Sequence, residues 1–188
     1  MNQTKRQNST DQNKVLLIAS VASMLDLFNR DNIRILLECG CQVEAAANFT
    51  FGNITSRERV ESFRRELLDA GIVVYDIPIP RSLADLPNIV RSYCMIKKLC
   101  EKNSYRLIHT QSPIGGAVSR LAAKDSRKKG CSVIYTAHGF HFYHGAPLYK
   151  WLLFYPVERW LSAYTDLLIT INAEDTRRAG MFRAGQVR

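Results

Sequence analysis

The chain has 188 residues, of which 46% are hydrophobic, enough to bury the core of a single domain. Its 26 Lys and Arg outnumber 17 Asp and Glu, a formal charge of +9 that favours nucleic acid, phosphorylated small molecules or an anionic membrane surface. The first fourteen residues hold no apolar segment of a secretory signal and no run of about 18 apolar residues occurs, so the composition predicts a soluble, cytoplasmic chain that spans no membrane.

After residues 1–13, which read as a disordered polar start, strand and helix signals alternate. Val15 to Ala19 is a continuous apolar run, the pattern of a strand buried on both faces. A helix closes over Ile33 to Cys39, with Gly40 placed to end it. Gln42 to Ala47 is a second strand. Ser56 to Ala70 is an amphipathic helix with Val60, Phe63, Leu67 and Leu68 on one face. Ile72 to Ile77 is the third strand, closed by the turn Pro78-Ile79-Pro80. Leu86 to Glu101 is helical, and Tyr105 to Ile108 is the fourth strand. Ser112 reads as a capping hydroxyl before Pro113, opening a helix that runs to Lys129. Ser132 to Tyr135, a helix over Leu148 to Tyr164, and Asp166 to Ile171 follow; a last helix starts at Ala173 and runs toward Gly185. Six β-α units with short connections predict an α/β fold, a doubly wound, Rossmann-like parallel sheet over residues 14–188.

The basic residues are spread over several helices: Arg57, Arg59, Arg64 and Arg65, then Lys97 and Lys98, then Arg120, Lys124, Arg127, Lys128 and Lys129. Solvated outer faces account for most of them. The five cysteines form no CxxC pair and are expected to be reduced, mostly buried thiols.

Open α/β sheets bind ligands at the carboxyl ends of their strands. The sequence collects there Ser20–Met24, Asn48–Asn53, Pro78–Arg81, His109–Gly116, Ala137–Pro147 and Asn172–Asp175, and with them all four histidines. Three chemistries are open. The stretch from His109 to Gly116 enters a helix N-terminus, which suits a phosphate, although a glycine pair serves helix packing equally well. The connection after the first strand lacks the glycines of a dinucleotide fingerprint. His138, His141 and His144 are spaced i, i+3, i+6, but no Cys or carboxylate joins them before Glu158, so no metal is expected. His138 can instead hydrogen-bond a polar substrate, with Phe140, Phe142 and Tyr143 as apolar walls; His141 and His144 read as scaffold. Trp151, Tyr155 and Trp160 beside Lys150 and Arg159 suit a membrane interface, yet a core helix kinked at Pro156 is the favoured reading.

The segments HTQSPIGGAVSRLAAKDSRKKG and VIYTAHGFHFYHGAPLYKWLLFYPVERWLSAYTDLLITINAED resemble the amino-terminal half of bacterial family 4 glycosyltransferases, above all those that build capsular and exopolysaccharides. VLLIASVASMLDLFNRDNIRILLECGCQVEAAANF is similar to their first β-α-β unit. The resemblance implies one half of a GT-B architecture, in which two Rossmann-like domains face each other across a cleft. It implies transfer of a sugar, with retention of configuration, from a nucleotide-sugar donor (usually a UDP-sugar) to a polyprenyl-diphosphate-linked sugar acceptor. The nucleotide sugar is then a substrate, and no cofactor is expected. His138 matches the family's histidine that points at the donor sugar and is the expected catalytic residue. Ser20, Ser23, Asp26, His109, Ser112, Gly115, Gly116, Gly139 and Asn172 are the expected substrate-binding residues. The carboxyl-terminal donor-binding domain would be missing, since MFRAGQVR stops where the linker to it would begin, and the fragment alone is expected to be inactive. Peripheral contact with the inner face of the cell membrane is implied as well. The alternatives are a non-catalytic glycan- or lipid-diphosphate-binding module or a decayed gene fragment. An epimerase of similar architecture fits the fold but not HGFHFY, and nucleic-acid binding has no aromatic-basic motif to support it.

Overall fold

The computed structural model describes residues 13–188. Seven strands run through them: β1 (Lys14–Val21), β2 (Gln42–Asn48), β3 (Val73–Asp76), β4 (Leu107–Gln111), β5 (Ser132–Ala137), β6 (Leu167–Thr170) and β7 (Gln186–Val187). They form one sheet in the order β3-β2-β1-β4-β5-β6-β7, and every pair is parallel. The helices are α1 (Ala22–Phe28), α2 (Arg30–Glu38), α3 (Arg57–Asp69), α4 (Leu86–Lys102), α5 (Pro113–Ala122), α6 (Lys124–Lys128), α7 (Leu148–Leu161) and α8 (Ala173–Ala179). The expected residues 1–13 tail lies, but for residue 13, outside the described residues.

Alternation along β1 makes the two-sided core. Leu16 and Ile18 join Ile96, Ile108 and Val118 under α4 and α5. Val15, Leu17 and Ala19 join Leu25, Ile33, Phe63 and Leu67 under α1 to α3. A third cluster, Phe140, Phe142 and Leu168 with Trp151, Phe154 and Phe182, lies under α7 and α8. The doubly wound, Rossmann-like sheet expected from the sequence is therefore present, with one strand more.

Several boundaries differ from the sequence reading. The segment after β1 is no loop: α1 starts at Ala22, so Ser20 is in the strand while Ser23 and Asp26 are on a helix. β4 and β5 each continue past their apolar runs, because Thr110 and Gln111 pair in register with Tyr135 and Thr136. The helix expected to reach Lys129 breaks at Ala123 into α5 and α6. α8 ends at Ala179 instead of extending toward Gly185, and the chain adds β7 to the sheet. Gly185 permits this, since a Cβ there would lie 2.8 Å from the Asp166 carbonyl oxygen. Leu68 is exposed rather than on the buried face of α3. Of the cysteines, only Cys100 and Cys131 are buried; Cys39 and Cys94 are exposed.

Two sequence readings hold only in part. Arg120 belongs to no solvated face: it is 1% exposed, its Nε donates to the Gly116 carbonyl (3.0 Å), and Nη2 donates to Glu158 (2.9 Å). Its guanidinium lies 4.0 Å from the centroid of the Tyr135 ring. α7 is a core helix on one face only: Trp151, Phe154 and Tyr155 pack on the third cluster and Leu161 is buried, while Leu148, Leu152 and Trp160 are exposed. Glu158, on the inner face of α7 beside these aromatic residues, is held there by Arg120.

Candidate functional site

The strand order reverses direction between β1 and β4, and in open α/β sheets such a switch point opens a crevice at the carboxyl ends. Ser20 at the end of β1 and Ser112 just after β4 meet there, Oγ to Oγ at 2.7 Å. Ser112 Oγ also accepts from Ser20 N–H (3.1 Å) and donates to the Gln111 carbonyl. Ser112 therefore does not cap α5, against the sequence reading: its hydroxyl is used across the switch point. It is the one described non-glycine residue at positive φ (+70°), a backbone region costly to any residue with a Cβ.

His138 follows directly on β5, and Gly139 (φ +111°) turns the chain away from the sheet. The half-buried ring lies 4.8 Å from that of Phe28, with Nε2 2.8 Å from Gln111 Oε1. The Gln111 amide nitrogen donates in turn to Asn29 Oδ1, which fixes the amide so that its oxygen faces His138. An oxygen can only accept, so His138 carries its proton on Nε2 and keeps Nδ1 as an acceptor. Burial pushes the His138 pKa down, which favours the neutral ring.

His109 sits inside β4 rather than after it, half-buried, with Nε2 2.8 Å from Thr136 Oγ1. Burial, then the charge of His138, lowers its pKa to about 4. Burial thus favours the neutral ring both at His109 on β4 and at His138 just after β5.

The remaining expected residues divide by location. Gly115 and Gly116 lie in the first turn of α5, buried against the chain. A Cβ on Gly115 would meet Ser112 Oγ at 2.7 Å, and one on Gly116 would meet the Tyr135 ring at 2.5 Å. Gly115 N–H donates to Ser20 Oγ (3.3 Å) and Gly116 N–H to the Ser112 carbonyl (2.8 Å). Both glycines bring α5 close to the sheet, and their donors are spent within the protein. Ser23 ties α1 to the segment after β2, accepting from Ile54 N–H (3.1 Å), while its own N–H donates to Asn53 (2.9 Å). Asp26 is buried between Arg30 (2.6 Å) and Arg59 (2.7 Å), which both also hold Glu66. Burial raises the Asp26 pKa, but the two guanidiniums outweigh it and bring the carboxyl below its usual value. Asn172 caps α8 by accepting from Asp175 N–H (2.8 Å), and Asp175 accepts from Phe140 N–H (3.2 Å). Asn172 thereby steadies the His138 segment from outside.

Ser20, Ser112, Gly115 and His138 come together at the switch point; Asp26 and Asn172 act at its flanks. Gln111 and Asn29, 3% and 2% exposed, are the residues passed over by the sequence reading. His141 stacks on Phe154 (4.6 Å), and His144 N–H donates to Glu174 (2.6 Å). Among the described residues no three His, Cys, Asp or Glu side chains converge as a metal site.

Comparison with known proteins bears on this geometry. The chain is 53% identical over 112 residues to the "Putative glycosyltransferase EpsD" of Bacillus subtilis (strain 168); the match covers 59% of this chain and 29% of that relative's length. The fold is similar to that of the crystal structure of Acinetobacter baumannii MurG, with a TM-score of 0.56 and 17% identity, over 93% of this chain and 43% of the other. Residues 29–187 match the profile of the glycosyl transferase 4-like domain. A match over that span, which takes in every candidate site residue except Ser20, Ser23 and Asp26, shows that the chain belongs to the glycosyl transferase 4-like domain family.

Proposed function

We propose that the chain is the acceptor-side half of a retaining glycosyltransferase of cell-surface polysaccharide synthesis, acting in the cytoplasm on a lipid-linked sugar. A second Rossmann-like domain would hold the nucleotide of a UDP-sugar donor across the cleft. The observation that carries this reading is the His138–Gln111–Asn29 chain at the switch point of a family member. A neutral imidazole whose Nε2–H is spent on Gln111 offers Nδ1 to a sugar hydroxyl. His138 would orient the donor sugar while its bond to the diphosphate breaks and the bond to the acceptor oxygen forms on the same face. Rate enhancement would come from holding the two substrates together, and from stabilising the leaving diphosphate in the second domain.

The test is transfer of labelled sugar from UDP-sugars to a membrane lipid extract by this chain joined to a donor-binding domain. His138→Ala should lower the rate about 100-fold or more, and an unchanged rate would sink the assignment. The anomeric configuration of the product, read by NMR, decides retention. Calorimetry of the chain alone with UDP should give no tight binding; tight binding would move the donor site into this domain.

A further inference from the structure

β3 closes one side of the sheet and pairs only with β2. Ile77 N–H donates to the Ala47 carbonyl (2.9 Å), so in a parallel ladder Val73 and Tyr75 also turn their backbone groups toward β2. The N–H and C=O groups of Val74 and Asp76 then point outward, and among the described residues no strand meets them. Beside this open edge, between β3 and α4, lies a cavity of about 510 Å³ lined by Tyr75, Ile77, Met95 and Leu99, with exposed Lys98 and Lys102 at its rim. Val73, 47% exposed, continues the same face of the strand. Glu101, also at the rim, is turned to Lys97 (3.9 Å), and neither Lys98 nor Lys102 has a carboxylate partner among the described residues.

We propose that this edge takes an extended segment of a partner protein as an added strand, with one large apolar side chain in the cavity and acidic side chains on Lys98 and Lys102. Strand addition draws its affinity from main-chain hydrogen bonds and its specificity from pockets for alternate side chains. β3 supplies the first through Val74 and Asp76, and the cavity beside it supplies the second. Lys98 and Lys102 stand one helical turn apart on α4, about 6 Å. Alternate residues on one face of a strand are about 7 Å apart, so the partner reads apolar-x-acidic-x-acidic along that face. The formal charge of +9 draws an acidic segment as well. A second copy of the chain does not fit, because two-fold pairing of β3 with β3 would bring the lysines of both copies together. His138 follows β5, four strands from β3 and about 19 Å away, so the bound segment leaves the candidate site open. Neither the open edge nor the cavity depends on the proposed function.

Short capped peptides of threonine, carrying one leucine and then two glutamates at alternate positions, or the same order reversed, test this by fluorescence anisotropy with the full chain. One of the two should bind, and exchanging its leucine for threonine or its glutamates for lysines should each weaken binding about tenfold or more. Lys98→Glu/Lys102→Glu should weaken the glutamate peptide to the same extent and gain binding of the lysine peptide, while Arg91→Glu on the same helix should change neither. N-methylation of alternate peptide residues should abolish binding in one phase and spare it in the other, because only one set of N–H groups faces β3. Amide exchange at Val74 and Asp76, read by NMR on the unaltered chain, should slow when the peptide binds. Failure of both peptides to bind, or binding indifferent to the lysine pair, overturns the proposal. So does equal tolerance of both N-methylated phases, which would make the cavity a site for a small apolar ligand. A dimer through β3 that excludes the peptide, seen by sedimentation, overturns it too.

Discussion

Ser20 and Ser112, 92 positions apart, meet Oγ to Oγ at 2.7 Å across the gap between β1 and β4. Ser112 reaches this contact from φ +70°, where a residue with a Cβ pays about 1–3 kcal/mol. Ser112→Ala keeps the strain and leaves the buried Ser20 N–H without its acceptor, an expected loss of about 1–3 kcal/mol. Ser112→Gly loses the same contacts but releases the strain. The glycine variant should therefore unfold at higher urea than the alanine variant, contrary to the usual ranking of these residues. The opposite order would show that the backbone is unstrained.

Gln111 is the residue that sets the orientation of His138. Gln111→Leu should lower kcat in the two-domain enzyme with little change in KM. It should also change the nitrogen chemical shifts of the His138 ring, because Nε2 loses its acceptor. Gln111→Glu should raise the His138 pKa by placing a negative charge beside it. An unmoved His138 titration in both variants would remove Gln111 from the site.

Acid should weaken the fold before the carboxylates titrate. His109 has a folded pKa of about 4, below its ordinary 6.5, so between these values the unfolded chain binds a proton that the folded chain refuses. Stability is then fully present above about 6.5 and falls as pH drops toward 4, by on the order of 3 kcal/mol at most. His138, also lowered by burial, adds to the same slope. Asp26 and Glu66, both lowered, lose their contribution only below the ordinary carboxylate range. Urea midpoints between pH 7 and 4.5 should therefore decline, and His109→Gln should flatten the decline.

The buried pair Arg120–Glu158 should be costly to break and tolerant of removal. Arg120→Met leaves a carboxylate facing the Tyr135 cluster, an expected loss of about 3–5 kcal/mol. Adding Glu158→Leu should restore a large part of it. Chemical denaturation of the two single variants and the double variant measures the coupling, and strictly additive losses would contradict it.

The fold was legible where apolar patterning decides structure. Val15 to Ala19 and the turn glycines marked the central strand and its neighbours. Strand ends were not, because Thr110, Gln111 and Thr136 break the apolar runs while backbone pairing carries the strands through them. In the candidate site, the position of His138 directly after the fifth strand was legible. Its partners were not: Asn29 and Gln111 look like surface amides in sequence, and only the approach of α1 to β4 makes them buried. Arg120 hides likewise in a run rich in Lys and Arg, and its burial depends on Glu158, 38 positions away. With that pair unseen, the two faces of a largely apolar helix cannot be told apart.

The inward-facing clasp of α7 separates two selective pressures on one helix. Substitutions at Glu158, Trp151 or Tyr155 tax folding, whereas Leu148, Leu152 and Trp160 bear no weight in the core. The outer arc is free to drift in size, aromaticity and charge without a folding penalty. The two sides of α7 can thus change independently, the inner one tied to the sheet by its packing and the outer one facing solvent.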